Sequence, residues 1–177
     1  MRIIAGRLGG RQFDSPHSRR THPMSDRARG GLFNALGDIV GLTVLDAFAG
    51  SGALSFEAVS RGAKSVLMVE NDRPAQQQIE ASIAALGIDN EAKLIKSSSN
   101  AWLSTNEDAR FDLILCDPPY DNLQASLLER LATRIKENGL LVVSWPSSVA
   151  APTFAGFEEV ATKNYGAVQL FFFRKES

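Results

Sequence analysis

An α/β domain is what this sequence predicts: a mostly parallel, seven-stranded sheet with helices on both faces and an antiparallel last strand inserted into it. Three observations predict it. Between residues 43 and 145, five short apolar runs alternate with segments of helical period. Glycine or an acid stands at nearly every boundary between them. Near the C-terminus, Val168 to Phe173 is apolar on both faces, which suits a strand buried inside the sheet rather than one at its edge.

The elements follow in order. Residues 2–15 read as a short strand pair with Gly9-Gly10 as its turn, and residues 16–24 as loop. Ser25 fits an N-cap with Asp26 in the first turn, and Leu32, Phe33, Leu36, Ile39 and Val40 carry a helical period up to Gly41. Strands are expected at 43–48, 64–70, 92–97, 111–117 and 139–145. Between them come a helix ending before Gly62, one capped by Asp72 that runs to Leu86, a short one near 100–106 and one from about Leu123 to Lys136. The tail reads as a hairpin about Tyr165-Gly166.

At 177 residues the chain is expected to be one domain: a basic hairpin and loop over 1–24 and a core over 25–177. No apolar run is long enough to span a membrane. A single cysteine, Cys116, leaves no internal disulfide and fits a reducing cytoplasm; two histidines and one cysteine do not suit a structural zinc site. The net charge of −1 hides an asymmetry, because residues 1–34 carry +5 and the remainder −6. An arginine-rich arm (Arg2, Arg7, Arg11, Arg19, Arg20) points to a polyanion, with a solvated tail as the plain alternative.

In doubly wound sheets ligands sit beyond the carboxyl ends of the strands. The first strand leads into "DAFAGSGALS", where Gly50 and Gly52 let the backbone approach a ligand. Ser55 stands where a dinucleotide fingerprint has its third glycine, which weakens a pyrophosphate reading. Glu70 closes the second strand and can accept both hydroxyls of a ribose. Asp46 disfavours a phosphate nearby and suits a cation, so S-adenosylmethionine, with its sulfonium and amino group, fits better than a dinucleotide. At the end of the fourth strand stands "CDPPY". Two prolines hold Asp117 and the Pro118 carbonyl in place as acceptors, and Tyr120 offers a flat face. That arrangement fits a planar base bearing an NH2 group. On stacking alone, phenylalanine would serve in place of Tyr120.

"DAFAGSGALSFEAVSRGAKSVLMVEND" and "DLILCDPPY" resemble class I methyltransferases of the Rossmann-like kind, which use S-adenosyl-L-methionine. With "MRIIAGRLGGRQF" and "HPMSDRARGGLFNAL", the chain is similar over nearly its whole length to the RsmD family, the bacterial 16S ribosomal RNA guanine-N2 methyltransferases. The resemblance implies transfer to a guanine N2 amine at Asp117, Pro118, Pro119 and Tyr120. It implies a cofactor held by Asp46, Phe48, Gly50, Ser51, Gly52, Glu70 and Asn71, with Asn100 near the adenine and Ser25 covering the site. It further implies 16S RNA within the small subunit as substrate, a cytoplasmic location and a monomer without metal. The chain departs from the family at His22-Pro23-Met24, where Arg-Pro-Thr is usual, and at Gly30, where Glu is usual. Adenine N6 of DNA, small-molecule methyl transfer and a catalytically idle RNA-binding module are the alternatives the residues leave open.

Overall fold

The computed structural model describes residues 1–16 and 23–177, so Arg19, Arg20 and His22 lie outside the described residues. The elements are α1 (Asp26–Leu36), β1 (Thr43–Asp46), α2 (Ala53–Ser60), β2 (Ser65–Glu70), α3 (Arg73–Leu86), β3 (Ala92–Lys96), α4 (Ser99–Thr105), β4 (Phe111–Cys116), α5 (Ala125–Ala132), β5 (Ile135–Pro146), β6 (Phe157–Tyr165) and β7 (Val168–Lys175). They build one seven-stranded sheet in the order β3-β2-β1-β4-β5-β7-β6. β1 to β5 run parallel, and β7 lies antiparallel between β5 and β6. The strand order reverses at β1 and β4, and such a reversal opens a crevice beyond their carboxyl ends.

Strand alternation divides the core into two layers. Val44, Leu113, Leu115, Val142, Leu170 and Phe172 pack towards α1, α2 and α3. Leu45, Ile114, Cys116, Leu141, Val143, Phe171 and Phe173 pack towards α4 and α5. Leu170 to Phe173 are all buried, as a strand flanked on both sides requires. No helix among the described residues is long and apolar enough to cross a membrane.

The N-terminal segment is part of this core. Ile3, Leu8 and Phe13 are buried, with the Phe13 ring edge-on to Phe56 at 5.0 Å. The chain does fold back on itself, Ile3 N–H donating to the Arg11 carbonyl at 2.9 Å and Gly10 N–H to that of Ile3 at 2.8 Å. The expected strand pair, however, reduces to a single bridge between Arg2 and Gln12 around a turn over residues 5–10. The reason is competition for donors. The Ile4 and Ala5 N–H groups bind the Glu57 carboxylate at 2.7 and 3.1 Å, and Leu8 N–H binds the Ser60 hydroxyl at 2.9 Å. Side chains of α2 thus take donors that a ladder would need.

Two helix boundaries also differ from expectation. α1 stops at Leu36 because Gly37 turns left-handed at φ 74° and donates its N–H to Phe33. The apolar period beyond it misleads: Ile39 is buried in a loop and Val40 is 68% exposed. α5 ends at Ala132 rather than Lys136, since Ile135 is already in register with Phe111 of β4. Within α1 the two adjacent glycines differ in kind. A Cβ on Gly31 would lie 1.6 Å from the Tyr165 hydroxyl, whereas one on Gly30 would meet only Ile4, at 3.6 Å.

Candidate active site

Asp46, Glu70 and Asp117 end, or directly follow, three adjacent strands, so the sheet brings them to one edge. Asp46 is fully buried. The Ser55 hydroxyl, one turn into α2, donates to its Oδ2 at 2.7 Å. Its Oδ1 has no hydrogen bond of acceptable geometry to any described residue. Burial pushes this carboxyl up to about 7; the Ser55 bond and the Phe48 amide oppose the rise, and the charges of Asp117 and Glu70 add to it.

Glu70 is fixed by backbone donors. Gly50 N–H reaches its Oε2 at 2.7 Å and Asp72 N–H its Oε1 at 2.8 Å. Burial raises its pKa while those amides hold it back. The turn that carries Gly50 needs glycine again at Gly52, where φ is +81° and a Cβ would stand 2.6 Å from the Phe56 ring. Ser51 is buried in this turn, Phe48 is half-buried beside it, and Asn71 is exposed after Glu70. The Gln76 side chain donates to the Glu70 carbonyl at 2.7 Å and ties the start of α3 to the strand end.

Beyond β4, Asn122 N–H donates to the Pro119 carbonyl at 2.9 Å and closes the proline corner into a turn. The Pro118 carbonyl accepts no bond from a described residue. Burial raises the Asp117 pKa, and a hydrogen bond from Ser144 counters part of that rise. Tyr120 is 39% exposed, yet its hydroxyl is hydrogen-bonded to that of Ser144. Burial pushes Tyr120 up to about 12. The tyrosine hydroxyl is therefore engaged, and Tyr120 is more than a flat ring. Cys116 is buried, and burial with the nearby charges of Asp46 and Asp117 raises its pKa, which keeps the thiol protonated and inert.

Not every expected residue joins this group. Asn100 is exposed inside α4, and its Oδ1 accepts from Arg130 of α5. At the turn after β3 it is Ser98 that caps α4, accepting from Ala101 N–H at 3.2 Å. The Ser25 oxygen is used by the cap of α1, accepting from Ala28 N–H at 3.2 Å. The described arginines of the arm are engaged within the fold. Arg2 pairs with Asp26 at 3.0 Å but stays 67% exposed. Arg7 pairs with Glu91, just before β3, at 2.6 Å. Arg11 donates to the last carbonyls of α3, Leu86 at 3.1 Å and Ala85 at 2.9 Å. Arg7 and Arg11 thus stand at the amino-terminal edge of the sheet, opposite the three acids. Ser144 and Gln76 had no signal in the sequence: nothing marks either as near the corner until strand register is known.

The donor set suits a cation and not a phosphate. Among the described residues none of the three acids has a salt-bridge partner, and the buried Asp46 Oδ1 lacks even a hydrogen bond. An ammonium or sulfonium group satisfies such an oxygen, while a pyrophosphate would be repelled. S-adenosyl-L-methionine carries both cations. Among the described residues no group of three or more His, Cys, Asp or Glu is placed to hold a metal ion.

Comparison with known proteins agrees with this geometry. The family described as "Conserved hypothetical protein 95" matches residues 1–174. The chain is 37% identical over 142 residues to "Ribosomal RNA small subunit methyltransferase D" of Escherichia coli strain K12, spanning 80% of this chain and 69% of that one. It is 36% identical over 149 residues to the protein of the same name from Haemophilus influenzae, spanning 81% and 77%. A solved structure of the Escherichia coli protein yhhF, described as a methyltransferase candidate, superposes with a TM-score of 0.90 at 31% identity and covers 100% of this chain and 98% of that one.

Proposed function

The chain belongs to the RsmD family of methyltransferases, and on that premise we propose that it methylates the exocyclic N2 amine of a guanine in 16S ribosomal RNA. The observation that carries the reading is a single edge of the sheet that presents three acids without a salt-bridge partner among the described residues, Asp46 with an unpartnered buried oxygen, beside a rigid Asp-Pro-Pro-Tyr corner. The methyl donor is S-adenosyl-L-methionine, which supplies an electrophilic methyl on sulfur when bound. Asp46 holds its amino group, Glu70 its ribose, and the turn over Phe48, Gly50, Ser51 and Gly52 its methionine backbone; Asn71 flanks Glu70.

Guanine's amine is a weak nucleophile because its lone pair is conjugated with the ring. Asp117 and the Pro118 carbonyl accept its two hydrogens and turn that lone pair towards the methyl. Pro119 keeps the turn rigid, and Tyr120 stacks on a base withdrawn from its helix or loop. With the donor bound, the nitrogen–methyl bond would form as the methyl–sulfur bond broke, and positive charge would pass to the nitrogen. Asp117 stabilises that charge where it develops and receives the proton the nitrogen then releases; its raised pKa suits this role. The substrate is the small subunit, so the protein works in the cytoplasm, as a monomer. Exposed Arg2 remains available to a phosphate. Arg7 and Arg11 are also exposed, but they stand at the edge of the sheet away from the corner, held by Glu91 and by the end of α3.

The test is to incubate the protein with labelled methyl donor and small subunits from a strain lacking it, then digest the RNA to nucleosides. Labelled N2-methylguanosine is expected. Label in N6-methyladenosine, or none, refutes the proposal. Asp117→Ala should lower the rate by on the order of 10²–10³ with donor affinity kept.

A further inference from the structure

Ser144 is the one polar residue in the buried run Leu141 to Trp145 of β5. It is 2% exposed and held on both sides. Cys116 is in register with Val143, so the next residues, Asp117 and Ser144, lie side by side where β4 ends. On the other flank Ser144 is in register with Leu170 of β7. A serine there would be an isolated buried hydroxyl unless it had a partner, and it has one in the Tyr120 hydroxyl, with the Asp117 carboxylate beside it where β4 ends.

The proton count fixes the direction of the chain of bonds. An ionised carboxylate only accepts, so in a chain of bonds ending on Asp117 the serine is the donor to it. Serine then has lone pairs left, and the Tyr120 O–H donates to one of them. Of the groups that titrate around this point, Asp46 comes from β1, Cys116 from β4, and Asp117 and Tyr120 from the segment directly after it. No Lys or Arg pairs with any of them among the described residues.

We propose that Ser144 is a positioning residue for methyl transfer, tethering the Tyr120 ring by its far end and engaging one Asp117 oxygen so that the other faces the incoming amine. The inference rests on the roles given above to Asp117 and Tyr120. Without the tether, a half-exposed tyrosine samples several orientations, and each turnover must reorder it. With it, the stacking platform and the acceptor are set relative to each other before a base arrives, and small misplacements at such points are costly. Because Ser144 touches neither Asp46 nor Glu70, its loss should leave donor binding alone.

The experiment uses the full chain, small subunits lacking the modification, and the variants Ser144→Ala, Ser144→Thr, Tyr120→Phe and Ser144→Ala/Tyr120→Phe. Ser144→Ala should lower kcat by roughly tenfold to a hundredfold, with calorimetric affinity for S-adenosyl-L-methionine within about twofold of wild type. Ser144→Thr should restore most of the rate. Tyr120→Phe should fall by a similar factor, and the double variant should be no worse than either single one, because both cut the same chain of bonds. An unchanged kcat in Ser144→Ala, a parallel loss of rate and donor affinity, or additive losses would overturn the proposal. A readout free of activity separates this from failure of the functional reading. In protein with ring-labelled tyrosine, a slowly exchanging Tyr120 hydroxyl proton should be visible by NMR, assigned by its loss in Tyr120→Phe, and absent in Ser144→Ala. If wild type shows no such proton, the tether is wrong whatever the protein methylates. If the proton is there but no RNA is labelled, the tether stands and the RNA reading falls.

Discussion

Asp46 and Glu57 are both completely buried carboxylates on neighbouring elements, and their surroundings are opposite. Glu57 receives the Ile4 and Ala5 amides, the Arg61 guanidinium at 2.8 Å and, at 3.9 Å, that of the equally buried Arg29. Arg29 in turn binds the Arg2 carbonyl at 2.7 Å and Asp26 at 2.9 Å. This cluster fastens the N-terminal segment and α1 onto α2. Asp46 has one serine hydroxyl, the nearby Phe48 amide and, among the described residues, no cation and no hydrogen bond of acceptable geometry to Oδ1. A buried charge costs free energy unless something compensates it. Where the fold supplies the compensation, the carboxylate is structural. Where the fold withholds it, the carboxylate is left for a ligand that brings its own charge.

The sharpest way to break this contrast is to remove each acid in turn. Glu57→Ala leaves Arg29 buried without its counter-charge and two amides without an acceptor. Such a change should cost about 3–5 kcal/mol of stability, read as a fall in urea midpoint. Asp46→Asn at pH 8 removes a buried charge that has no cation, and should not lower the midpoint. If Asp46→Asn destabilised as much as Glu57→Ala, Asp46 would be structural too.

A smaller effect sharpens the electrostatic side. With its carboxyl pushed up to about 7, Asp46 holds a proton below that pH in the free chain, and a cationic ligand must expel it. Affinity for S-adenosyl-L-methionine should therefore fall as pH drops through 7, by at most about tenfold per unit, and level off above it. Its neutral thioether counterpart at sulfur, S-adenosylhomocysteine, keeps the amino group and should show the same slope. Titrations at pH 5.5, 6.5 and 8 decide the matter, and a flat profile would detach Asp46 from the amine.

The smallest effect concerns the structural region alone. Gly30→Ala meets only an ordinary contact with Ile4 and should stabilise by about 1 kcal/mol through helix propensity. Gly31→Ala drives a methyl into the Tyr165 hydroxyl and should destabilise despite the same propensity gain. Thermal melts of both variants check the signs. Equal stabilisation by both would mean that Tyr165 does not occupy the Gly31 notch.

The same contrast explains what could be read from the sequence. Alternation of apolar runs, the glycine turn and Asp-Pro-Pro-Tyr are local patterns, and they placed the five parallel strands, the inserted last strand and the three acids at strand ends. Partners are not local. Five arginines early in the chain read as a basic arm on a charge of +5 over residues 1–34, but that charge count does not separate a free cation from Arg29 inside the core or from Arg11 on the end of α3. Ser144 lies 24 residues beyond Tyr120 and is brought to it only by the pairing of β4 with β5. Asn100 was expected at the cofactor from its place after a strand, but α4 begins one residue before it and turns its side chain to Arg130. Gly41 was expected to end α1 but Gly37 does, and the burial of Ile39 in a loop kept the period alive past the true end.

Calorimetric titration of S-adenosyl-L-methionine into the wild-type chain and into Asp46→Asn at pH 8 bears most directly on the idea that the uncompensated acids are a cation site. Saturable binding to wild type is predicted, weakened by about tenfold or more in a variant that melts no earlier. No binding to the wild-type chain, or undiminished affinity in Asp46→Asn, would contradict it.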